Sequence, residues 1–393
     1  MYSQGEIEAA VEAGALAPEQ AASFREFVAS RNLTPTADEE YFRYMRGFND
    51  IFVSYACIVA LVALGMIGAL VPIGGRSGGG FGPLPAMPLF APLLVAAASW
   101  GLAEIFTLRR RTATPSYLLT FTFGFGVFLT LLMIVAPMMG SISGTAILAA
   151  TAAAIAAAAT WGFWLRFRAP IAPALAVGLA VLAIISLLGV MFAGNSSGPT
   201  TLSIISLLLG VGVFALAMRW DLRDRWRITE GSEVALWLHA LAAMMLVFPL
   251  TSLLGLSQGI GSTGSAVMMI LLFLLFALLA LVVNRKAILL IALIPLIQAL
   301  NSLIRGGPSR SASSYDDYGS SYGAGSTNSY GGPGSDMFGG TVVTMVIISL
   351  IMLLLAIYWS PIRRSVLGIL PAGLRHRLAP SETSPIDQAR HFE

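Results

Sequence analysis

The sequence predicts an all-α fold: a polytopic membrane helix bundle of about ten transmembrane helices, both termini cytoplasmic, with a small N-terminal cytoplasmic helical hairpin. Three observations carry this. Hydrophobic residues make up 56% of the 393-residue chain and charged residues only 11%, against roughly 25% charged in soluble domains. The apolar residues fall in long unbroken runs, which lipid forces into helices, and not in the short alternating segments of a membrane barrel. The basic residues recur at every second span end. Only Arg76, Arg305 and Arg310, out of 23 lysines and arginines, follow odd-numbered spans. The positive-inside rule then places both termini in the cytoplasm.

Taken in order, residues 1–35 read as the helical hairpin. Ile7 and Val11 lie one turn apart, Gly14 is a natural C-terminal stop, and Pro18 suits the first turn of a second helix. Ala21, Phe24 and Val28 form one apolar stripe on that helix. Two helices this short bury little surface alone, so the hairpin is expected to dock on the membrane part, another copy or a cytoplasmic protein partner. Residues 36–50 open with the capping-box pattern Thr36-Ala37-Asp38-Glu39 and read as a juxtamembrane helix leading into the first span. The first apolar run begins too late to be the core of a signal peptide.

Residues 51–360 form the transmembrane domain. The ten spans are expected at 51–72, 87–108, 116–137, 144–165, 171–193, 201–219, 233–254, 264–284, 287–304 and 341–360, each long enough to cross about 30 Å of hydrocarbon. An outer loop over 306–340, rich in Gly and Ser, reads as disordered. Residues 361–393 read as an interfacial segment interrupted at Pro371, followed by a flexible cytoplasmic tail. One internal echo stands out. Ala96-Ala97-Ala98-Ser99-Trp100-Gly101 and Ala157-Ala158-Ala159-Thr160-Trp161-Gly162 close the second and fourth spans. Duplication of a hairpin would produce it, as would independent use of Ala for close packing and Trp at the interface.

The chemistry-bearing residues are few. No P-loop and no His-Glu-x-x-His is present. Gly-x-Ser-x-Gly occurs from Gly75 and from Gly255, both between helices and not at the strand-to-helix turn of a nucleophile elbow. Cys57, the single cysteine, excludes intramolecular disulfides and cysteine metal clusters. No catalytic residue, cofactor site or metal site is therefore expected, and the chain is not read as an enzyme. The arginines at span ends serve topology, so nucleic acid is not expected as a partner; the lipid bilayer is.

Ionisable groups inside spans are costly and mark candidate sites. Glu104, in the second span, and His239, in the seventh, stand out. Both lie one to two turns from the cytoplasmic face by helix rise. They either meet in the bundle interior as a proton- or cation-responsive site, or serve packing, with Glu104 reaching the headgroups or Arg109 and His239 bonding a backbone carbonyl. Gln298 and Asn301 in the ninth span share a helix face and are further candidates for interhelical hydrogen bonding. Asn284 at the end of the eighth span joins them.

The stretch Gly14-Ala15-Leu16-Ala17-Pro18-Glu19-Gln20-Ala21, followed by an apolar multi-span body, resembles a bacterial family of polytopic inner-membrane proteins classed as a domain of unknown function, with an N-terminal helical hairpin. Ala17 stands where that family carries a Ser or Thr cap. The resemblance implies a bacterial inner membrane and transfers no catalytic residue. Two functions follow as expectations. One is a membrane scaffold or sensor whose cytoplasmic hairpin binds a partner. The other is a small-solute transporter or permease-like protein, with ten spans and both termini inside.

Overall fold

The structure, a computed structural model, describes residues 48–70, 90–110, 112–135, 142–223, 230–256, 263–304 and 333–369, with scattered residues between 11 and 23. Ten long helices dominate it: α1 (Phe48–Ala69), α2 (Phe90–Ala103), α3 (Ala113–Val135), α4 (Ile142–Phe167), α5 (Ala172–Met191), α6 (Gly198–Arg223), α7 (Glu230–Leu253), α8 (Thr263–Val283), α9 (Lys286–Ile304) and α10 (Pro333–Ile369). A π-helical segment, Glu104–Arg109, extends α2. Among the described residues, ten helices are long and apolar enough to cross a membrane, which makes this a multi-pass membrane protein.

The largest departures from the expected boundaries fall at the sixth and tenth helices, the other ends shifting by at most three residues when the π-helical extension of α2 is included. The sixth helix continues past 219 to Arg223. The tenth starts at Pro333, inside the expected loop, and runs without interruption through Pro361 to Ile369. Proline suits a helix start because the first turn needs no N–H. At Pro361 one in-helix hydrogen bond is lost, but the helix continues, and the Ser365 hydroxyl donates to the Pro361 carbonyl. Residues 305–332 and the tail beyond 369 lie outside the described residues. So does most of the expected N-terminal hairpin and juxtamembrane helix. Within the hairpin, Gly14 has φ +68° and donates its N–H to Val11, a helix-ending geometry. The Gln20 side chain accepts from the Ala17 N–H at 3.3 Å. That is one half of a capping box, made where the cap residue itself has no oxygen to give.

Every extensive helix pairing among the described residues joins helices one or two apart in sequence. Consecutive helices form tight antiparallel hairpins: α2 with α3, α4 with α5, α6 with α7, α8 with α9. The odd-numbered helices then link hairpin to hairpin, α3 to α5, α5 to α7 and α7 to α9, while α1 and α10 flank the ends. The architecture is a row of stacked hairpins. Its core is correspondingly divided. Leu61, Phe123, Phe163 and Phe167 centre one cluster, Val213, Leu238 and Met245 a second, and Val247, Phe276, Leu293 and Trp359 a third.

Lipid is as apolar as leucine, so burial of apolar area alone does not hold such helices together. Close packing and polar ties do. Ala152, Ala153, Ala156 and Ala157 line the buried side of α4. The Ser99 and Thr122 hydroxyls bond at 2.7 Å between α2 and α3. At Gly210, a β-carbon would sit 2.9 Å from the Met245 carbonyl oxygen and 3.0 Å from its Cβ, so α6 and α7 touch backbone to backbone. That carbonyl is the one Pro249, four residues on and inside α7, leaves without its in-helix donor. The Ala-Ala-Ala-Ser/Thr-Trp-Gly echo recurs in α2 and α4, yet its tryptophans diverge. Trp100 packs between Phe123, Phe163 and Phe167 at 5.0–5.6 Å, whereas Trp161 faces outward.

Candidate functional site

The even-numbered helices end, and the odd-numbered ones begin, at one end of the row, which also gathers the basic residues. Side-chain contacts establish this directly. Glu104 beyond α2 meets Arg166 of α4, Tyr117 of α3 meets Glu233 of α7, and Asp221 of α6 meets Arg285 beyond α8. These contacts form a polar belt, and the candidate site is its buried half.

Arg285 is its centre. The sequence suggests a headgroup anchor, but the side chain is only 2% exposed. Its guanidinium is bidentate to Asp221, with Nε donating to Oδ2 at 3.3 Å, and its NH2 also donates to the Ser232 hydroxyl at 3.3 Å. It thereby joins the α8–α9 turn to both helices of the preceding hairpin. Asn284, next to it, holds φ +58°, a conformation asparagine tolerates better than most residues. This left-handed residue ends α8 and lets α9 start at Lys286. The Asn284 side-chain oxygen accepts from Trp359 Nε1 at 3.0 Å, which ties in α10. The Lys286 ammonium stands 5.8 Å above the Trp359 ring. Arg363, one turn beyond Trp359 on α10, is fully buried.

Glu233 extends the belt across the row. It is buried and accepts from the Tyr117 hydroxyl at 2.9 Å, while the Tyr117 ring packs on Trp237 at 5.5 Å. This tie joins the first hairpin to the third, past the α4–α5 hairpin between them.

The residues singled out by the sequence fall in three separate places. Glu104 begins the π-helical segment and makes a two-pronged pair with Arg166, at 3.2 and 3.3 Å, on the surface. Its partner is Arg166 and not the Arg109 of its own helix. His239 is fully buried in α7, its Nδ1 2.7 Å from the Ala235 carbonyl and its ring edge-on to Phe214 of α6 at 5.4 Å. His239 lies seven residues beyond Ser232, and Phe214 seven before Asp221. The pair therefore stacks two turns, about 10 Å, above the Arg285 cluster. The helices carrying Glu104 and His239 share no extensive contact. Gln298 is exposed, while Asn301 accepts from the buried Thr344 hydroxyl of α10 at 3.0 Å, so these two do not act together.

Sequence reasoning missed Asp221, Ser232, Glu233, Arg285 and Trp359 as site residues. A signal exists for Asp221, one of two acids, with Asp224, within the basic segment Arg219–Arg227. Among the described residues no three of His, Cys, Asp and Glu gather as metal ligands would. The contacts of the belt join side chains of different helices, and its chemistry is adhesive: charge-assisted hydrogen bonds in a low-dielectric setting.

Fold and site together define a multi-pass, all-α membrane protein built as a row of hairpins locked at one end by buried polar ties. Comparisons with protein-family models, with curated proteins and with solved structures find no match.

Proposed function

We propose that the chain is a membrane scaffold: a platform that holds a cytoplasmic N-terminal hairpin at the bilayer and offers that hairpin to a protein partner. The observation that carries this reading is the Asp221–Arg285–Ser232 cluster with its neighbours. It spends buried charge on pinning successive hairpins together. A carrier needs helices that part and close around a midplane site, and a belt of buried ties across the third and fourth hairpins opposes that motion. The sequential packing order supports the same reading. In this proposal the basic end faces the cytoplasm, both termini lie there, and the membrane is a bacterial inner membrane. The resemblance carried by Gly14–Ala21 supplies that last element.

Aqueous access to His239 tests the reading. In a Cys57→Ser background, His239→Cys is treated with a membrane-impermeant maleimide in right-side-out and inverted vesicles. Glu104→Cys serves as the accessible control. The platform reading expects position 104 to label from one side and position 239 from neither. Labelling of 239 in folded protein would mean that water reaches the middle of α7, and would favour the transporter alternative.

A further inference from the structure

Four arginines gather at the adjoining ends of α2 and α4. Arg166 meets Glu104 at 3.2 Å, which brings the two ends together, yet its side chain stays 57% exposed. Arg109 closes the π-helical extension of α2 and Arg110 caps it, about one turn beyond Glu104. Arg168 has φ +55° at the end of α4, with its guanidinium 5.1 Å above the Trp164 ring. All four arginines are exposed. Among the described residues, Glu104 is the one carboxylate that pairs with any of them. We propose that this arginine patch is the seat of the chain's own acidic N-terminal segment, residues 1–40. On the platform reading, a partner then reaches the hairpin only by displacing it from the arginines.

Charge selects that occupant. Residues 1–40 carry eight of the chain's 20 acids and two of its 23 bases, Arg25 and Arg31, a side-chain balance of −6. Asp38, Glu39 and Glu40 are consecutive. Of the described residues in the segment, Ala21 is 1% exposed, while Glu19, Gln20 and Ser23 are exposed. An apolar position is thus covered and an acid faces outward. Exposed guanidinia are the complement of such carboxylates.

Reach allows the contact. α1 packs on α2 and α3. Gly68 near the end of α1 lies against Ala91 near the start of α2, so α1 starts where α2 ends. Neighbouring helix axes stand about 8–10 Å apart. Glu40 is eight residues before Phe48, at most about 29 Å of extended chain. The segment is therefore tethered beside the patch, at an effective concentration on the order of millimolar. An anionic headgroup is the competing occupant. An acidic segment held at an anionic leaflet is repelled by it, and the arginines give that segment a basic seat.

Carbodiimide crosslinking of the full chain in nanodiscs of neutral lipid tests the proposal. Lys286 is the chain's only lysine, so Arg110→Lys adds one new side-chain amine and keeps the charge. Arg168→Lys does the same at the end of α4. Each new lysine is expected to form an amide bond with an acid of residues 1–40, identified by mass spectrometry of proteolytic fragments. Raising salt from about 50 to about 500 mM should lower the yield roughly threefold or more, because exposed pairs are screened. Arg109→Gln with Arg110→Gln and Arg168→Gln should free the segment. A glutamate-specific protease should then cut within residues 1–40 roughly fivefold faster than in wild type, the effect of losing a few exposed pairs. Absence of links to residues 1–40 in both lysine variants overturns the proposal, as does a yield indifferent to salt or cleavage unchanged in the glutamine variant. Links that join isotopically light and heavy chains in a mixture would seat a second copy's segment and overturn it. Links lost when phosphatidylglycerol is added would give the patch to headgroups and overturn it too. The crosslinks judge the seat alone, since labelling of His239→Cys judges the platform reading separately.

Discussion

Removing one partner of the Asp221–Arg285 pair tests the role assigned to the belt. The side chains are 10% and 2% exposed, so solvent screens them little. At about 3.3 Å and an effective dielectric near 20, the gross attraction is about 5 kcal/mol. Desolvation offsets most of it, so an apolar replacement of the whole pair is close to neutral. Removing one partner is different, because a buried charge is left uncompensated, at a cost of about 3–5 kcal/mol. Arg285→Met and Asp221→Leu should each lose that much. The double variant should return to within about 1 kcal/mol of wild type, a coupling of roughly 5 kcal/mol or more. The assay is reversible unfolding in mixed micelles of mild detergent and SDS, followed by circular dichroism. Single losses below about 1 kcal/mol, adding without coupling in the double variant, would refute the reasoning. They would mean that water or headgroups reach Arg285 and that the belt does not lock the hairpins.

Two further outcomes separate the belt from its surroundings in the same assay. Glu104→Gln breaks a pair whose members are 35% and 57% exposed. Such surface pairs contribute about 0–1 kcal/mol, so the loss should stay under 1 kcal/mol; a loss above about 2 kcal/mol would show Glu104 engaged beyond Arg166. Gly210→Ala should cost about 1–3 kcal/mol, because the added methyl meets the Met245 carbonyl oxygen and carbon at 2.9 and 3.1 Å. The helix-propensity gain of up to about 1 kcal/mol offsets only part of that. A more stable Gly210→Ala protein would show that α6 and α7 part there without cost.

The spans were legible because lipid leaves the chain one solution. An apolar run of about twenty residues must be helical, so each of the ten expected spans overlaps one of the ten helices. The ends were less legible, for a physical reason. A hydropathy window stops at the first charge, but a helix does not stop there when a neighbouring helix satisfies that charge. Asp221 is such a case, and α6 runs past it to Arg223. Read from the sequence, the tenth span ends at 360 and a separate interfacial segment begins at Pro361, a break in the helix. One lost hydrogen bond near the end of a long helix does not force one, and α10 continues to Ile369.

The site was legible only in depth. Rarity pointed to Glu104 and His239, and helix rise placed both near the same face, but rise says nothing about which way a side chain points or which helix lies beside it. Glu104 turned to Arg166 on the surface, and His239 to the carbonyl of Ala235 and the ring of Phe214. Arg285 posed the opposite problem. An arginine at a span end suits a headgroup equally well as a buried carboxylate. What decides between them is the order of hairpins in the row, which brings the ends of α6 and α8 together. The positive-inside signal and the packing signal are thus carried by the same residue type at the same positions. Among the described basic residues, Arg109 and Arg110 are exposed at the interface, while Arg285 and Arg363 are buried. Exposed arginines of this kind make none of the interhelical ties of the belt, and substituting them should leave the bundle intact. Buried Arg285 joins the α8–α9 turn to α6 and α7, and substituting it should loosen the basic end of the bundle.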